Sequence, residues 1–242
     1  MINKLKRIYT KEQFNPGFLG LLINPFYFAR KGLYQNISET ITNLYGNLLD
    51  IGCGSKPYEN ICNVDEYIGL EIDTTENRSN KNADYFYDGR HMPFEDKRFD
   101  SLISNQVFEH VFNPNEFLKE INRITKTNGI FLLTVPFVWD EHEQPCDYAR
   151  YSSFGLKHIL KENGFDIIEH RKGNNGVEVI FQLINAYIYK VTLTNTTIIN
   201  LISMLILMAP VNIAGLICSM ILPKNNDLYL DNIVLARKVK DV

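Results

Sequence analysis

Short apolar runs alternate with helical periodicities along most of the chain. Apolar side chains recur at helical spacing between Asn24-Pro25 and Gly46, which predicts a helix with proline in its first turn. A second helix is predicted to begin at Asn113-Pro114 and end at Asn128-Gly129, and a third to run from Ser152 or Ser153 to Asn163-Gly164. The apolar runs predict seven strands, at 47–51, 67–72, 83–88, 99–105, 130–135, 165–169 and 229–236.

Strands that alternate with helices at this spacing predict an α/β fold. We expect a doubly wound, mostly parallel sheet of seven strands with helices on both faces. A chain of 242 residues suits one domain with an elaboration. We therefore predict a single domain over 1–242, with a core at 47–172 plus 228–239, an N-terminal helical region at 1–46 and an apolar helical insertion at 174–227 before the last strand.

Charge and cysteine usage exclude several classes of function. The chain has 25 Lys plus Arg against 28 Asp plus Glu, so no basic field favours a nucleic acid partner. Four scattered cysteines, with no CxxC pair and no histidine cluster at ligand spacing, predict reduced thiols and no metal. The basic N-terminus, with Lys4, Lys6 and Arg7, is not followed by an apolar run of signal-peptide length, so we expect a cytoplasmic location.

The end of the first strand has the composition of a site for a cationic ligand. Asp50 ends that strand, and Gly52 and Gly54 follow, which lets the backbone approach a ligand closely. A dinucleotide site would need a third glycine where Lys56 or Pro57 stands, and Asp50 would repel a phosphate. The turn therefore favours a cation over a pyrophosphate.

Acidic residues also end the second and third strands. Glu71 can accept both hydroxyls of a ribose, and Asp88 can accept from an adenine amino group. S-adenosylmethionine fits this set, because it has no phosphate and its sulfonium and ammonium groups favour a carboxylate such as Asp50. The alternative is that each acid only caps a helix or stabilises a turn.

Four segments resemble the successive motifs of class I S-adenosylmethionine-dependent methyltransferases: LLDIGCG, YIGLEID, YDGRHMPFEDKRFDSLISNQVFEHV and TNGIFLLTVP. The resemblance implies a Rossmann-like fold and an S-adenosylmethionine cofactor. It also implies a role for each matching residue: the methionine part is lined by Asp50, Gly52 and Gly54, the ribose is bound by Glu71, the adenine is bordered by Asp88 and Gly89, and the pocket is closed by Asn105 and Gln106. Lys56 departs from the pattern, which has another glycine there, and could itself bind the methionine carboxylate.

The loop after the fifth strand is rich in polar and aromatic residues, as loops that bind substrates often are. His142 is the first candidate for a base that deprotonates a methyl acceptor, and Asp147 and Glu141 are the next. An acceptor could be positioned by Tyr148, Arg150 and Tyr151. The alternative is a polar lid whose charges pair with one another. His110 could act in catalysis, but in this family the Glu-His pair usually supports the pocket wall.

The same loop resembles a methyltransferase subgroup associated with bacterial cell-surface polysaccharide synthesis, as do NPFYFARKGLYQNI and GCGSKPY. That resemblance implies O-methylation of a glycan or small-molecule acceptor. Two alternatives stay open. One is a noncatalytic membrane-associated scaffold that keeps the fold. The other is a NAD-dependent sugar enzyme, against which the missing third glycine argues.

The segment 198–222 contains no charged residue and is long enough to be considered as a membrane span. Pro210, Asn212 and Gly215 are predicted to interrupt it, which favours two short helices. Three arrangements stay open: packing inside the fold or in a homodimer through 177–222, contact with the inner face of a membrane, and true spanning. Membrane contact would suit an acceptor linked to a lipid.

Overall fold

The computed structural model describes residues 9–80 and 82–242. The predicted basic cluster of Lys4, Lys6 and Arg7 lies outside the described residues. The chain divides into two compact units. The sheet unit comprises Ile37–Phe137, Glu141–Arg171 and Asn232–Val242, and the helical unit comprises Met1–Asn36, Val138–Asp140 and Lys172–Asp231.

Seven strands form one sheet in the order β3-β2-β1-β4-β5-β7-β6. The strands are β1 Asn47–Ile51, β2 Glu66–Ile72, β3 Tyr85–Tyr87, β4 Phe99–Asn105, β5 Thr125–Pro136, β6 Phe165–Asn175 and β7 Tyr229–Lys238. β1 pairs in parallel with both β2 and β4, β2 with β3, and β4 with β5. The winding reverses between β1 and β4, so the carboxyl ends of these two strands flank the crevice where ligands of such sheets bind. The predicted fold class is confirmed.

The helices that accompany the strands include α1 Gly20–Ile23, α2 Tyr27–Thr40, α3 Thr75–Asn80, α4 Pro114–Ile124, α5 Ser153–Glu162, α6 Val177–Thr192, α7 Thr197–Ser203 and α8 Ala209–Ile221. Polar side chains accept backbone N–H groups at the starts of two helices. The Asn24 Oδ1 accepts from the Phe26 N–H at 2.8 Å ahead of α2, and the Ser152 Oγ accepts from the Gly155 N–H at 3.2 Å at the start of α5.

The core of the sheet unit lies between the sheet and its helices. Leu49 of β1, Leu102 of β4 and Phe131 of β5 are fully buried in one cluster. Leu118 and Ile121, on one face of α4, pack in the same cluster. This packing fixes the strands whose carboxyl ends carry the candidate site.

One predicted boundary is wrong. The helix expected to end at Asn128-Gly129 ends at Ile124, and β5 begins at Thr125. The buried Lys238 ammonium donates to the carbonyl oxygens of Asn122 and Thr125, at 2.7 and 3.0 Å, and so satisfies acceptors at the helix end. Asn128 has a φ of 66° inside β5, where the register with β4 shifts. The Asn-Gly pair is therefore part of an irregularity in a strand.

The apolar insertion is helical as predicted, but its expected interruptions do not occur. α7 continues through a π-helical turn, Met204–Met208, into α8. Asn212 and Gly215 lie inside α8 and are buried. The Asn212 Nδ2 donates to the carbonyl oxygens of Leu21 and Asn24, both at 3.0 Å. A Cβ on Gly215 would lie 2.8 Å from Phe28. Asn212 and Gly215 therefore pack α8 against its neighbours and do not interrupt it. The apolar pattern of the sequence does not reveal these contacts.

Candidate active site

The turn after β1 is shaped by two glycines in the left-handed region. Gly52 has a φ of 71° and Gly54 a φ of 50°. A Cβ on Gly52 would lie 2.3 Å from the Val107 side chain, so this position admits only glycine without a shift. A Cβ on Gly54 would have no neighbour within 4 Å. The turn is therefore closed on the side of β4 and open at Gly54, where a ligand can approach the backbone.

Glu71, at the end of β2, holds this turn. Its Oε2 accepts from the Gly54 N–H at 3.0 Å, and its Oε1 accepts from the Ile72 N–H at 3.1 Å. The structure therefore brings together Gly54 and Glu71, two residues predicted to contact different parts of one ligand. The carboxylate is partly exposed, so its oxygens can also accept from a bound hydroxyl.

Asp50 lies beneath the turn and is buried. Its Oδ2 accepts from the Tyr67 hydroxyl at 2.5 Å. Burial raises the pKa of Asp50 to about 7, and the nearby Glu71 carboxylate acts in the same direction. A cation placed beside Asp50 would favour its ionised form, which suits a sulfonium or an ammonium ligand.

Lys56, which departs from the family pattern, has a partner within the protein. Its Nζ lies 2.5 Å from the Asp84 Oδ2. The same oxygen accepts from the Gly69 N–H of β2 at 2.7 Å. A Cβ on Gly69 would lie 2.5 Å from the Lys56 Cε, so the lysine stem crosses β2 at a glycine. The side chain thus ties the turn after β1 to the segment before β3.

Asp88 and Gly89 follow β3 and are exposed. The Asp88 Oδ1 accepts from the backbone N–H groups of Arg90 and His91, at 2.9 and 3.0 Å. These two bonds hold the pKa of Asp88 below its usual range. Gly89 has a φ of 83° and open space around its Cβ position. Asp88 therefore stabilises its own turn, and the neighbouring backbone is accessible.

Asn105 and Gln106, at the end of β4, are both anchored to Thr134 of β5. The Thr134 hydroxyl donates to the Asn105 Oδ1 at 2.7 Å, and it accepts from the Gln106 N–H at 3.2 Å. Gln106 has a φ of 55°. Val107, the next residue, covers Gly52, so the turns after β1 and β4 meet.

The loop after β5 contains a tight network around Asp147. Arg150 binds the Asp147 carboxylate through both terminal nitrogens, at 2.5 and 2.6 Å. Asp147 also accepts from the His142 N–H at 3.0 Å, and the His142 Nδ1 lies 3.3 Å from its Oδ2. The Arg150 hydrogen bonds hold the pKa of Asp147 far below its usual range. Asp147 is consequently a structural anchor of the loop, which agrees with the alternative of paired charges for this residue.

His142 also lies beside the Glu-His pair that follows β4. The rings of His110 and His142 meet edge to face, with centroids 4.9 Å apart. One ligand atom from each of Glu109, His110 and His142 lies within 4.8 Å of the others. The sequence predicted no metal, because His142 follows the adjacent Glu109 and His110 by at least 32 positions and the histidines have no ligand spacing. One feature of the sequence could have indicated the cluster: Glu109-His110 follows β4 and His142 follows β5, and the carboxyl ends of these neighbouring strands lie at one edge of the sheet.

The other residues of this loop separate into different environments. Glu141 and Tyr148 are exposed, and Tyr148 packs edge to face on Phe112 with centroids 5.2 Å apart. Tyr151 stacks on the buried Phe108 at 4.9 Å and so belongs to the core. Trp139 and Asp140 group with the helical unit, where Lys190 pairs with Asp140 at 2.8 Å.

The helical unit has a cavity of its own, of about 220 Å³. It is lined by polar side chains that include Gln35, Asn174, Glu178 and Lys224, and it contains none of the predicted site residues. The predicted strand ends and the glycine turn lie instead at the β1–β4 edge of the sheet, in the other unit.

Residues 49–133 match the family model described as methyltransferase domain. The chain is also similar to two uncharacterized proteins of Methanocaldococcus jannaschii. One is 34% identical over 103 residues, which are 38% of this chain and 38% of that protein. The other is 28% identical over 143 residues, 55% of this chain and 61% of that protein. The chain thus matches less than two thirds of the length of either curated relative.

Solved methyltransferase structures share the fold. An S-adenosylmethionine dependent methyltransferase from Mesorhizobium loti is 11% identical, with a TM-score of 0.54 over 85% of this chain and 97% of that chain. Phosphoethanolamine N-methyltransferase 2 of Haemonchus contortus, in complex with S-adenosyl-L-methionine, is 16% identical, with a TM-score of 0.53 over 95% of this chain and 59% of that one. The protein therefore has the Rossmann-like methyltransferase fold, and its central segment matches a methyltransferase domain.

Proposed function

We propose that this protein transfers a methyl group from S-adenosylmethionine to an acceptor. The observation that carries the proposal is the convergence of the glycine turn after β1 with the carboxylates of Asp50 and Glu71 at the winding reversal of the sheet. The match of 49–133 to a methyltransferase domain supports it. So do the fold and the cofactor named for a similar structure.

The residues at the sheet edge fit this cofactor in charge and in space. Asp50 with the open Gly54 turn would bind the methionine end, because the carboxylate favours its positive groups. Glu71 would accept the ribose hydroxyls, and the exposed backbone at Gly89 would border the adenine. Asn105 and Gln106, held by Thr134, would close the pocket.

When bound, the cofactor supplies a methyl group that its sulfonium has already activated for displacement. The protein then has to align an acceptor with that group and exclude competing water. We propose a hydroxyl of a glycan or small molecule as the acceptor, bound at the loop 141–151. In this proposal Asp147 is a positioning residue, since it holds both Arg150 and the His142 backbone. The proton of the acceptor hydroxyl would pass to a base of this loop. The candidates for that base are the His142 imidazole and the exposed Glu141 carboxylate.

Calorimetric titration of the folded protein with S-adenosylmethionine, S-adenosylhomocysteine and NAD tests the cofactor. We expect both adenosyl ligands to bind and NAD not to bind. Glu71→Gln should weaken adenosyl binding by about tenfold or more, equal to about 1.4 kcal/mol, because an amide replaces a charged acceptor. Glu76→Gln, an exposed acid of α3, is the matched control and should have no effect.

The same titration separates the alternative functions. Binding of NAD in place of the adenosyl ligands would favour a NAD-dependent sugar enzyme. Adenosyl binding without methyl transfer to any glycan or small molecule would favour a noncatalytic scaffold. If the folded protein binds no adenosyl ligand, the proposed function is wrong.

We also propose that the helical unit contacts the surface of a membrane. Within the described residues, one helix, Thr197–Ile221, is long and apolar enough to cross a bilayer, and 28% of its most apolar stretch is buried. The following apolar side chains of its first half are exposed: Ile198, Ile199, Leu201, Ile202, Leu205, Ile206 and Leu207. Three successive exposed residues, 205–207, lie in the π-helical turn and span about half of its circumference.

A lipid surface can cover such a helix, because an interfacial helix buries its apolar side chains at the boundary between headgroups and acyl chains. No charged residue occurs between Lys190 and Lys224, and Lys224 is exposed at the end of the apolar segment. A cation there can interact with anionic headgroups. Peripheral contact of this kind would suit a lipid-linked glycan acceptor in the cytoplasm.

Flotation with vesicles of phosphatidylglycerol and phosphatidylethanolamine tests membrane contact. The protein should float with the vesicles, and Ile198→Glu with Ile206→Glu should abolish flotation. Phe154→Glu places the same charge at an exposed aromatic residue of the sheet unit and should still float. A protein that stays at the bottom and sediments as a dimer would support a homodimer through 177–222 and contradict membrane contact.

A further inference from the structure

We infer that Glu109, His110 and His142 bind a divalent transition-metal ion. Their ligand atoms lie within 4.8 Å of one another. Two imidazoles and one carboxylate are a ligand set suited to ions such as zinc, manganese or iron(II), whereas magnesium prefers oxygen ligands. Metal binding by these residues does not depend on the proposed methyl transfer, but a role in orienting a hydroxyl acceptor rests on it.

The distances between the ligand atoms are close to those of a metal site. The His110 Nε2 lies 3.9 Å from the Glu109 Oε1. Ligand atoms bound to zinc at about 2.0–2.1 Å lie about 3.3–3.5 Å apart in a tetrahedron. To bind zinc, this pair would have to approach by about 0.5 Å, and no pair of the three atoms by more than about 1.5 Å.

The ring of His110 is oriented for coordination. Its Nδ1 lies 2.7 Å from the Cys146 carbonyl oxygen, which can only accept. The hydrogen of a neutral ring is therefore on Nδ1, and the lone pair is on Nε2. That nitrogen faces Glu109 and also the exposed Glu143, whose Oε2 is 3.6 Å away.

The ring of His142 has a similar partner. Its Nδ1 lies 3.3 Å from the Asp147 Oδ2 and 3.4 Å from the Arg150 Nη2. The guanidinium can only donate to Nδ1, whereas the carboxylate can only accept from it. Metal binding through Nε2 would require the hydrogen on Nδ1, donated to Asp147. Carboxylate–histidine–metal arrangements of this kind orient ligands in many metal sites.

Backbone hydrogen bonds hold the two halves of the site together. The Glu109 carbonyl oxygen accepts from the N–H groups of Tyr148 and Ala149, at 2.9 and 3.2 Å. The Glu109 side chain is fully buried, where a negative charge is costly and a dication would stabilise it. Three protein ligands leave at least one position open, as in catalytic metal sites, where a hydroxyl group could bind.

Metal analysis of the untagged full chain, dialysed with and without EDTA, tests the site directly. We expect about one metal ion per chain after dialysis without EDTA, and its loss with EDTA. Titration of the stripped chain with Co²⁺ should give the visible absorption of a low-symmetry site, and Zn²⁺ should compete for it. His110→Ala and His142→Ala should each weaken Co²⁺ binding at least tenfold. His158→Ala removes an exposed histidine of α5 and should leave binding unchanged.

Glu109→Gln keeps the size of the side chain and removes its charge. It therefore tests the carboxylate ligand separately from the histidines. If the histidine variants remain folded by circular dichroism and bind Co²⁺ as tightly as the native chain, the inference is wrong. Methyl transfer that survives EDTA but is lost in His142→Ala would identify His142 as a base and would overturn the role of the metal in orienting the acceptor. Calorimetry with S-adenosylhomocysteine on the stripped chain reports the cofactor site separately, so failure of the metal site and failure of the proposed function are distinguishable.

Discussion

The two compact units place their apolar side chains in opposite environments. In the sheet unit, Leu102, Phe131 and Leu133 have no exposed surface. In the helical unit, Ile198 is 70% exposed and Ile206 65% exposed. Apolar sequence therefore forms a buried core in the sheet unit and an exposed apolar surface in the helical unit. The hydrophobicity of a segment does not distinguish these two environments, whereas the exposed fraction of its side chains does.

Buried polar groups occur in both units and act on stability in different ways. The helical unit contains buried amides: the Gln182 Oε1 accepts from the Ala29 N–H at 3.1 Å, and the Asn185 Nδ2 donates to the Asn212 Oδ1 at 2.8 Å. The sheet unit contains the buried Asp50, whose pKa is raised. The amides stabilise a small apolar core, whereas the buried carboxylate works against stability and is retained at the site.

Phe131→Ala should have the largest effect on stability. The ring is fully buried in the core of the sheet unit, so its removal leaves a cavity and should cost about 3–5 kcal/mol. Urea denaturation measures the loss. Phe154→Ala removes a ring that is 84% exposed and should change stability by less than about 0.5 kcal/mol. Equal losses for the two variants would contradict the assigned core.

Asp50→Asn should make stability less dependent on pH. The pKa of Asp50 is raised from 3.8 to about 7, so the folded state favours the protonated carboxyl. That contribution is fully present below the unfolded pKa and is lost as the pH rises through about 7. At about 1.4 kcal/mol per unit, the variant should gain on the order of 4 kcal/mol relative to the native chain between pH 4 and pH 8.

Denaturation of both proteins across this range provides the measurement for Asp50. The Asn side chain keeps an oxygen that can accept from the Tyr67 hydroxyl, so packing is preserved. A stability difference that stays flat with pH would show that Asp50 is not the titrating group.

Asn212→Ala tests the buried amides of the helical unit. The substitution removes the donor to the Leu21 and Asn24 carbonyl oxygens and the acceptor for Asn185. Buried groups left without these bonds should reduce stability by about 1–3 kcal/mol, measured by denaturation. Asn195→Ala, at an exposed position before α7, should have no comparable effect. A neutral Asn212→Ala would mean that the amides do not hold this unit together.

Ile206→Ala should have the smallest effect in the absence of lipid. The side chain is exposed, so stability should change by about 0.5 kcal/mol or less. Met208→Ala is the comparison within the same helix, because Met208 is 2% exposed, and it should cost about 2–5 kcal/mol. Thermal denaturation of both variants measures the difference. Similar losses would show that Ile206 is covered in solution, as in a dimer.

The sequence determined the elements of the sheet, because apolar runs and glycine or proline boundaries are local features. The acids Asp50, Glu71 and Asp88 could be placed at strand ends for the same reason, and parallel pairing explains why they share one edge. The helical character of the insertion was also predicted from apolar spacing. The end of α4 was missed, because Lys238 approaches it from a distant strand.

Only the tertiary structure decided which of these residues meet. The Tyr67 bond to Asp50, the Lys56–Asp84 pair and the cluster of Glu109, His110 and His142 join segments that are far apart in the chain. It also decided that Ile206 is exposed while Met208 is buried, two residues apart in one apolar run. Spacing specifies local geometry, but burial and charge pairing depend on what packs against each side chain, and those neighbours come from elsewhere in the sequence.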